Sequence, residues 1–305
     1  EMCIRDSYGT EEQKQKYLPK MVTGECIGAL GMTEPSTGSD LQAIKTNAVD
    51  MGDHYLINGQ KTFITIGYTC DILILACKTN PGTAKEGISL IIVDADTPGF
   101  SRGKPFHKLG MKDSDTCELF FEDMKVPKSQ LLGEEGKGFI YMMTELPRER
   151  MTIATGAIGA VDGALMDTIA YCQERTAFKQ PIAAFQNTQF KLAEIATTLE
   201  MHKAFHDRCV ELLAEGQLTA EQGAMAKYIA SDMQNDMLDE CRQLFGGYGF
   251  MWEYPIRRHY AGARVQRIYG GTNVIMKLVI SRAIFADLHR KMKAERKRLK
   301  EMATN

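Results

Sequence analysis

Two stretches of the 305-residue chain bring together side chains suited to holding a ligand. Leu30-Gly31-Met32-Thr33-Glu34-Pro35-Ser36-Thr37-Gly38-Ser39-Asp40 runs from an apolar start into a loop of small and hydroxylated residues. Backbone N–H groups at Gly38 and Ser39, with the Thr33 and Ser39 hydroxyls, suit an electron-rich ring edge or a phosphate. Loops of this composition also serve as plain turns. In Asn58-Gly59-Gln60-Lys61-Thr62-Phe63-Ile64-Thr65 the Asn-Gly pair predicts a hairpin turn leading into a strand. Period two then puts Phe63 and Thr65 on one face, one able to stack and the other to hydrogen-bond, unless the face is an ordinary cross-strand one. His202 and His206, four apart on a helix, lack the adjacent Glu of a zinc-protease helix, so no metal is expected from them.

The elements that must position these residues change character along the chain. From about Cys26 to Pro127 short strand-like runs (His54–Ile57, Asp71–Ala76, Ile88–Val93, Thr116–Phe121) alternate with Asn58-Gly59, Pro81-Gly82 and Pro98-Gly99 turns. They predict a compact β barrel or sandwich. After Gly138 the apolar period becomes helical, as in Ile153, Ala157, Ala160, Ala164 and Leu165, or Ala226, Ile229, Met233 and Met237. About four long helices follow, with turns near Lys179–Phe185, Glu215–Thr219 and Phe245–Arg257, which predicts a four-helix bundle. Thr10–Met21 is a further helix, capped by Thr10 and without partners of its own. A basic end, Arg290–Lys300, suits a solvated helix terminus.

Composition narrows the class. The chain is 44% hydrophobic and 25% charged, which excludes a disordered or low-complexity protein. A net charge of −2 argues against a general nucleic-acid binder. The longest purely apolar runs, such as Ile72–Cys77, fall short of the ~18 residues that span a bilayer, so no membrane span is expected. Eight scattered cysteines without a Cys-x-x-Cys pair suggest reduced, mostly buried thiols in a reducing compartment.

In this order, ahead of a helical bundle, the two ligand-suited segments closely resemble the middle domain of the acyl-CoA dehydrogenases, and the resemblance runs from Tyr8 to about Phe285. It implies that Leu30, Met32, Thr33, Gly38 and Ser39 contact the flavin of FAD. Phe63, Ile64 and Thr65 match the strand that covers the flavin ring, with Phe63 where the family usually has Trp. Arg175, Phe178 and Gln186 resemble the segment that crosses a subunit interface to the FAD pyrophosphate and adenine side, for which an Arg fork offers several fixed donors. Gln243, Gly246 and Gly247, in Gln243-Leu244-Phe245-Gly246-Gly247-Tyr248-Gly249, resemble the second interface segment, where paired glycines allow close approach.

The reaction implied is α,β-dehydrogenation of an acyl-CoA thioester to the trans-2-enoyl-CoA in fatty-acid β-oxidation. A carboxylate removes the α-proton while the β-hydrogen leaves as hydride to the flavin. Many members carry that Glu in Tyr-Glu-Gly-Thr; here Ile268-Tyr269-Gly270-Gly271-Thr272 puts glycine at its place. A minority, including long-chain and isovaleryl-CoA dehydrogenases, carries the base on another helix, where this chain has Glu149 in Glu145-Leu146-Pro147-Arg148-Glu149-Arg150. Glu149 is therefore the expected base and Glu145 the fallback. From the residues alone, Glu149 would pass for a surface pair or a first-turn residue after Pro147. The same resemblance gives Arg150 to the CoA portion and the Gly270 N–H, beside Gly271, to the thioester carbonyl, with Gly270 leaving room where other members have Glu. It gives Ser39 to both flavin and substrate, and Thr272 and Asn273 to the flavin. Val274 departs from relatives, which often have Glu or Gln there.

The expected architecture is thus α+β and multidomain: a middle β barrel or sandwich (residues 25–130), a C-terminal four-helix bundle (131–305), and, within 1–24, an unmatched end and the last helix of an N-terminal all-α domain. The expected cofactor is FAD. Expected partners are acyl-CoA, an electron-transfer flavoprotein and further copies in a dimer of dimers. The expected location is the cytoplasm in a bacterium and the mitochondrial matrix in a eukaryote. An acyl-CoA oxidase using dioxygen, or a non-catalytic CoA- or FAD-binding subunit, are the alternatives.

Overall fold

The computed structural model describes residues 7–80 and 85–304. The Pro81-Gly82 turn and Glu1–Asp6 lie outside them. Two compact units, Glu1–Glu145 and Leu146–Asn305, divide the chain.

The first unit opens with helix α1 (Glu11–Thr23), whose N-terminus is a reciprocal cap: the Gln13 N–H donates to Thr10 Oγ1 (3.2 Å) and the Thr10 N–H to Gln13 Oε1 (3.0 Å). Contrary to expectation, α1 has partners. Buried Gln13 donates through Nε2 to the carbonyls of Ser129 and Leu131, and the Tyr17 hydroxyl donates to Asp94 Oδ1 (2.9 Å).

Eight strands then form one mixed sheet: β1 (Gly28–Gly31), β2 (Asn47–Asp50), β3 (His54–Thr65), β4 (Ile72–Lys78), β5 (Ile88–Asp94), β6 (Phe100–Arg102), β7 (Thr116–Pro127) and β8 (Leu131–Leu132). Their order is β6-β7-β3-β2-β4-β5-β8, with β1 parallel to β4. Strands β4 and β5 are apolar apart from Lys78, Ser89 and Asp94 because both their faces are buried. Leu73, Leu75, Cys77, Ile91 and Val93 belong to one cluster, and Ile72, Ile74, Ala76, Leu90 and Ile92 to another that Tyr17 shares.

The predicted Asn58-Gly59 hairpin turn is absent. Strand β3 runs through both residues, and Gly59, at φ +151°, marks a register shift against β7. A Cβ there would lie 2.5 to 2.7 Å from Thr46 atoms, so the glycine serves a bulge and a close strand approach.

The second unit contains the expected long helices α2 (Gly138–Glu174, within which the division falls), α3 (Gln186–Ala214), α4 (Ala220–Leu244) and α6 (Asn273–Thr304). A short helix α5 (Pro255–Ala263) lies between α4 and α6, starting within the predicted Phe245–Arg257 turn. Two-residue strands β9 (Thr176–Ala177) and β10 (Gln180–Pro181) form a hairpin after α2. Met151, Ala154, Ala157, Val161, Ala164, Ile195, Leu199, Ala226, Ala230, Met233 and Leu238 make the core from the helical stripes. By length and composition alone α2 could cross a membrane; its apolar stripe is part of this core.

Candidate functional site

In the first unit the loop after β1 closes on itself, with reciprocal backbone hydrogen bonds between Glu34 and Thr37, while the Thr37 hydroxyl donates to the Asp40 carbonyl. A buried ion pair anchors it. Lys61 Nζ, wholly buried, donates to Glu34 Oε1 (2.9 Å) and to the Met32 carbonyl (3.0 Å). The Glu34 carboxylate also accepts from the Lys45 N–H (2.6 Å) and the Thr46 N–H (3.0 Å). Burial works against ionising Glu34, but Lys61 and these donors outweigh it and hold its pKa below the ordinary value. Leu30, Met32 and Thr33 are half-buried, whereas Gly38 and Ser39 are exposed at the loop tip. The Thr33 carbonyl accepts from the Thr62 N–H (2.9 Å), tying the loop to β3.

A second bulge in β3 governs what faces outward. The pairing with β7 slips between Lys61 and Ile64, and Phe63 sits at φ +57°, a conformation aromatic residues rarely adopt. Lys61 keeps the inward face of Tyr55 and Ile57, and the slip after it leaves Phe63 and Thr65 exposed, Phe63 at 66%. Phe63 also packs on Phe106, with ring centroids 5.6 Å apart. Ile64 is buried, so only its backbone is available to a ligand.

In the second unit Glu149 and Arg150 lie on α2 beside the loop that leads into α6. Arg150 is buried, and its Nε donates to the Gly270 carbonyl (3.3 Å). Gly270 and Gly271 hold φ of +64° and +90°, conformations that favour glycine. The space beside Gly270 is bordered by the end of the Ile153 side chain, whose Cδ1 would lie 2.4 Å from a Cβ there. Ile153 stands four residues after Glu149, on the same helical face. The Thr272 hydroxyl accepts from the Ile275 N–H (3.3 Å) at the start of α6. Asn273 turns inward, its amide donating to Asp232 Oδ1 (2.8 Å) and Ser231 Oγ (2.9 Å). Val274 is exposed.

The remaining bundle residues gather elsewhere. Arg175 lies over the Tyr248 ring at 5.8 Å, which joins the end of α2 to the Gly246–Phe250 turn. Phe178, at φ +52° and 90% exposed, tips the β9–β10 hairpin, and Gln186 opens α3. Gln243, Gly246 and Gly247 are exposed, and neither glycine has an atom within 4 Å of where a Cβ would stand. Twenty-six residues along α2 separate Glu149 from Arg175, roughly 39 Å at 1.5 Å per residue. These residues therefore form two groups, one in the N-terminal half of α2 and one at its C-terminal end. His206 Nε2 meets Thr155 Oγ1 (2.8 Å) and His202 Nδ1 meets the Thr198 carbonyl (2.7 Å); among the described residues no cluster fit for a metal occurs.

Sequence reasoning passed over Glu34, Lys61, Ile153, Lys227 and Asp232. Lys227 left one signal: it interrupts the apolar stripe of Ala226, Ala230 and Met233 in α4.

Comparison with known proteins bears on both units. Residues 29–124 match the acyl-CoA dehydrogenase middle domain, and 136–285 match the acyl-CoA dehydrogenase C-terminal domain. The chain is similar to the mitochondrial long-chain specific acyl-CoA dehydrogenase of Rattus norvegicus, 48% identical over 92% of the chain and 66% of that relative, so it spans just under two thirds of that protein's length. It is also similar to the solved acyl-CoA dehydrogenase of Geobacillus kaustophilus (TM-score 0.91, 48% identity, 92% of this chain and 74% of that one). A third likeness is to a solved chain described with the electron transferring flavoprotein of Acidaminococcus fermentans (TM-score 0.89, 42% identity, 92% and 74%). With both domains matched in order, the chain belongs to the acyl-CoA dehydrogenase family.

Proposed function

We propose that the chain carries the flavin-facing and catalytic parts of an FAD-dependent acyl-CoA dehydrogenase that converts acyl-CoA thioesters to trans-2-enoyl-CoA in fatty-acid β-oxidation, with Glu149 as the base. One observation carries the choice of base. The position at 270 is a glycine at positive φ beside the Ile153 side chain, with no group to take a proton, whereas Glu149 stands one turn before Ile153 on the same helical face.

The residues present fit FAD. Phe63 offers an exposed aromatic face and Thr65 a hydroxyl beside it, and the anchored loop presents the Gly38 and Ser39 N–H groups and the Ser39 hydroxyl, with Leu30, Met32 and Thr33 behind them and the Ile64 backbone alongside. Open space at Gly246 and Gly247 suits a close approach. When bound, the flavin supplies a hydride acceptor for the substrate β-carbon. Glu149 takes the α-proton, and the carbonyl oxygen of the thioester gains negative charge as the C–H bond breaks. The Gly270 N–H, beside Gly271, receives that charge, as preorganised backbone donors do in other acyl chemistry. Arg150 holds the CoA portion, Ser39 faces both ligands, and Thr272 borders the flavin while Asn273 braces the loop from inside.

The ~39 Å between Glu149 and Arg175 supports a homo-oligomer in which Arg175, Phe178, Gln186, Gln243, Gly246 and Gly247 of one copy complete the FAD site of another. A dimer of dimers satisfies this. The Acidaminococcus likeness supports an electron-transfer flavoprotein as acceptor, and the mitochondrial and bacterial relatives support the matrix or the bacterial cytoplasm as the location.

The test is Glu149→Gln in the full-length protein, with anaerobic addition of acyl-CoA. The variant should stay yellow and bind acyl-CoA but bleach about 10²–10⁴-fold more slowly than wild type, the span usual for a general base. Bleaching at the wild-type rate would reject Glu149. Rapid peroxide formation under air would point to an oxidase instead.

A further inference from the structure

A fully buried lysine lies beneath the Gly270–Asn273 loop. Lys227, on α4, donates through Nζ to the Gly271 carbonyl (2.8 Å) and to Asn273 Oδ1 (2.8 Å), and no part of it reaches solvent. Among the described residues no carboxylate pairs with it. Asp232, the nearest acidic influence, is taken by Arg267 Nε (2.6 Å) and the Asn273 amide (2.8 Å). Arg150 holds the preceding carbonyl, that of Gly270. Two buried cations from different helices therefore grip successive carbonyls of a loop whose two glycines give it no stiffness of its own.

Burying an ammonium costs several kcal/mol, and an apolar side chain would suit this core stripe better if packing were all that mattered. The cation lies instead where a carbonyl needs a donor and a flexible backbone needs a fixed conformation.

We propose that Lys227 is a positioning residue for the dehydrogenation, holding the Gly270–Thr272 backbone so that its N–H groups are set to receive the charge that grows on the thioester carbonyl. This rests on the reaction assigned above.

The geometry has a pH signature. Burial and the neighbouring Arg150, against Asp232, bring the Lys227 pKa down to about 8. The charged groups around it are Arg150 from α2, Asp232 from its own helix and Arg267 from the turn after α5, while Lys277 on α6 faces the Tyr228 ring. As pH rises through about 8 the ammonium becomes an amine, which still donates but polarises the loop less.

The test uses the full-length holoenzyme in three forms: wild type, Lys227→Met and Lys227→Arg. A bound 3-ketoacyl-CoA reports the loop directly, because its enolate places charge on the same carbonyl, and its ionisation can be followed by absorbance. Lys227→Met should raise the bound 3-ketoacyl-CoA pKa by about one unit or more and lower kcat about 10- to 100-fold with KM changed less than about threefold, somewhat below the loss expected from deleting an oxyanion donor. Lys227→Arg should recover most of both. Wild-type kcat should fall above about pH 8 and that of Lys227→Arg should not. A Lys227→Met enzyme with unchanged enolate ionisation and kcat, less stable but otherwise normal, would reduce Lys227 to a staple. If that variant does not fold, Lys227→Gln takes its place under the same two readouts, and unchanged enolate ionisation and kcat in it overturn the proposal. Wild-type enzyme that never bleaches with acyl-CoA would instead overturn the reaction assignment.

Discussion

At the scale of single residues, the loop after β1 depends on a buried ion pair. Glu34 accepts from Lys61 and two backbone N–H groups, and Lys61 in turn reaches the Met32 carbonyl, so the loop is held by one buried network. Removing one partner strands the other: Lys61→Met should cost about 3–5 kcal/mol in urea unfolding, the usual price of breaking a buried pair. Because the two groups share one interaction, Lys61→Met with Glu34→Gln should cost clearly less than the sum of the single changes, and additive costs would show that they act separately. Acid should loosen the same anchor. Glu34 has its pKa lowered from an ordinary 4.5, so its contribution is present above about that pH and fades as pH falls through the native value. None of this was legible in the sequence. Strict period two puts Lys61 on the face of Phe63 and Thr65, and only the bulge between Lys61 and Ile64 parts them, leaving Lys61 inward with Tyr55 and Ile57. The choice of Glu149 rests on the family resemblance and a paired substitution, glycine at 270 and glutamate on α2, whereas Ile153, whose side chain borders Gly270, is simply another apolar residue in a helical stripe.

At the scale of elements, the long helices and most strands could be read because their periods repeat over many residues, and the Thr10 cap could be read because the fold uses it as a helix start does. Helix α5 could not: its nine residues follow a 3-10 turn and hold too few turns for a period to show. The glycine-rich turn after α4 separates two roles that look alike in sequence. At Gly246 and Gly247 a Cβ would meet nothing, so the folded chain itself leaves that space open. At Gly249, which is buried, a Cβ would lie 2.4 Å from the Arg242 carbonyl oxygen, against the backbone that ends α4. Gly249→Ala should therefore lower thermal stability by several degrees. Gly247→Ala should leave the melting of flavin-free protein nearly unchanged while weakening FAD retention in the oligomer, read as flavin lost on gel filtration. Equal effects of the two changes on stability would show that the turn has one structural role throughout. Gly246, at φ +57°, is unsuited to the comparison because a side chain there would be strained whatever the space.

For the whole molecule, the order of a β unit ahead of a helical unit was visible in the change of period, while a site divided between copies was implied only by the family resemblance, and the length of α2 gives the distance from Glu149 to Arg175. Scattered cysteines gave another global expectation, reduced and buried thiols, and the seven described cysteines are all buried and outside any disulfide. Their burial makes a prediction about pH. Desolvation pushes Cys77 up to about 12 and Cys117 to about 11, each from 9, and Tyr55, with Glu135 nearby, up to about 12 from 10. Each group is neutral in the folded chain at a pH where the unfolded chain has released the proton, so the unfolded state binds fewer protons and stability falls as pH rises. The loss begins near pH 9 for the thiols and ends at their native values. At pH 10 it amounts to about 1.4 kcal/mol for each thiol, at 1.36 kcal/mol per unit. Lys227 acts in the opposite sense: its native pKa lies below that of an unfolded lysine, so its burial penalty eases as pH rises from about 8 to 10.5. Because the Lys227 gain offsets most of the loss from the two thiols, urea midpoints should change little between pH 7 and 9 and fall only slightly by pH 10. Cys77→Ala should start less stable, because it leaves a small cavity, and lose less between pH 9 and 10 than wild type. An identical fall in the variant would mean that Cys77 does not drive it.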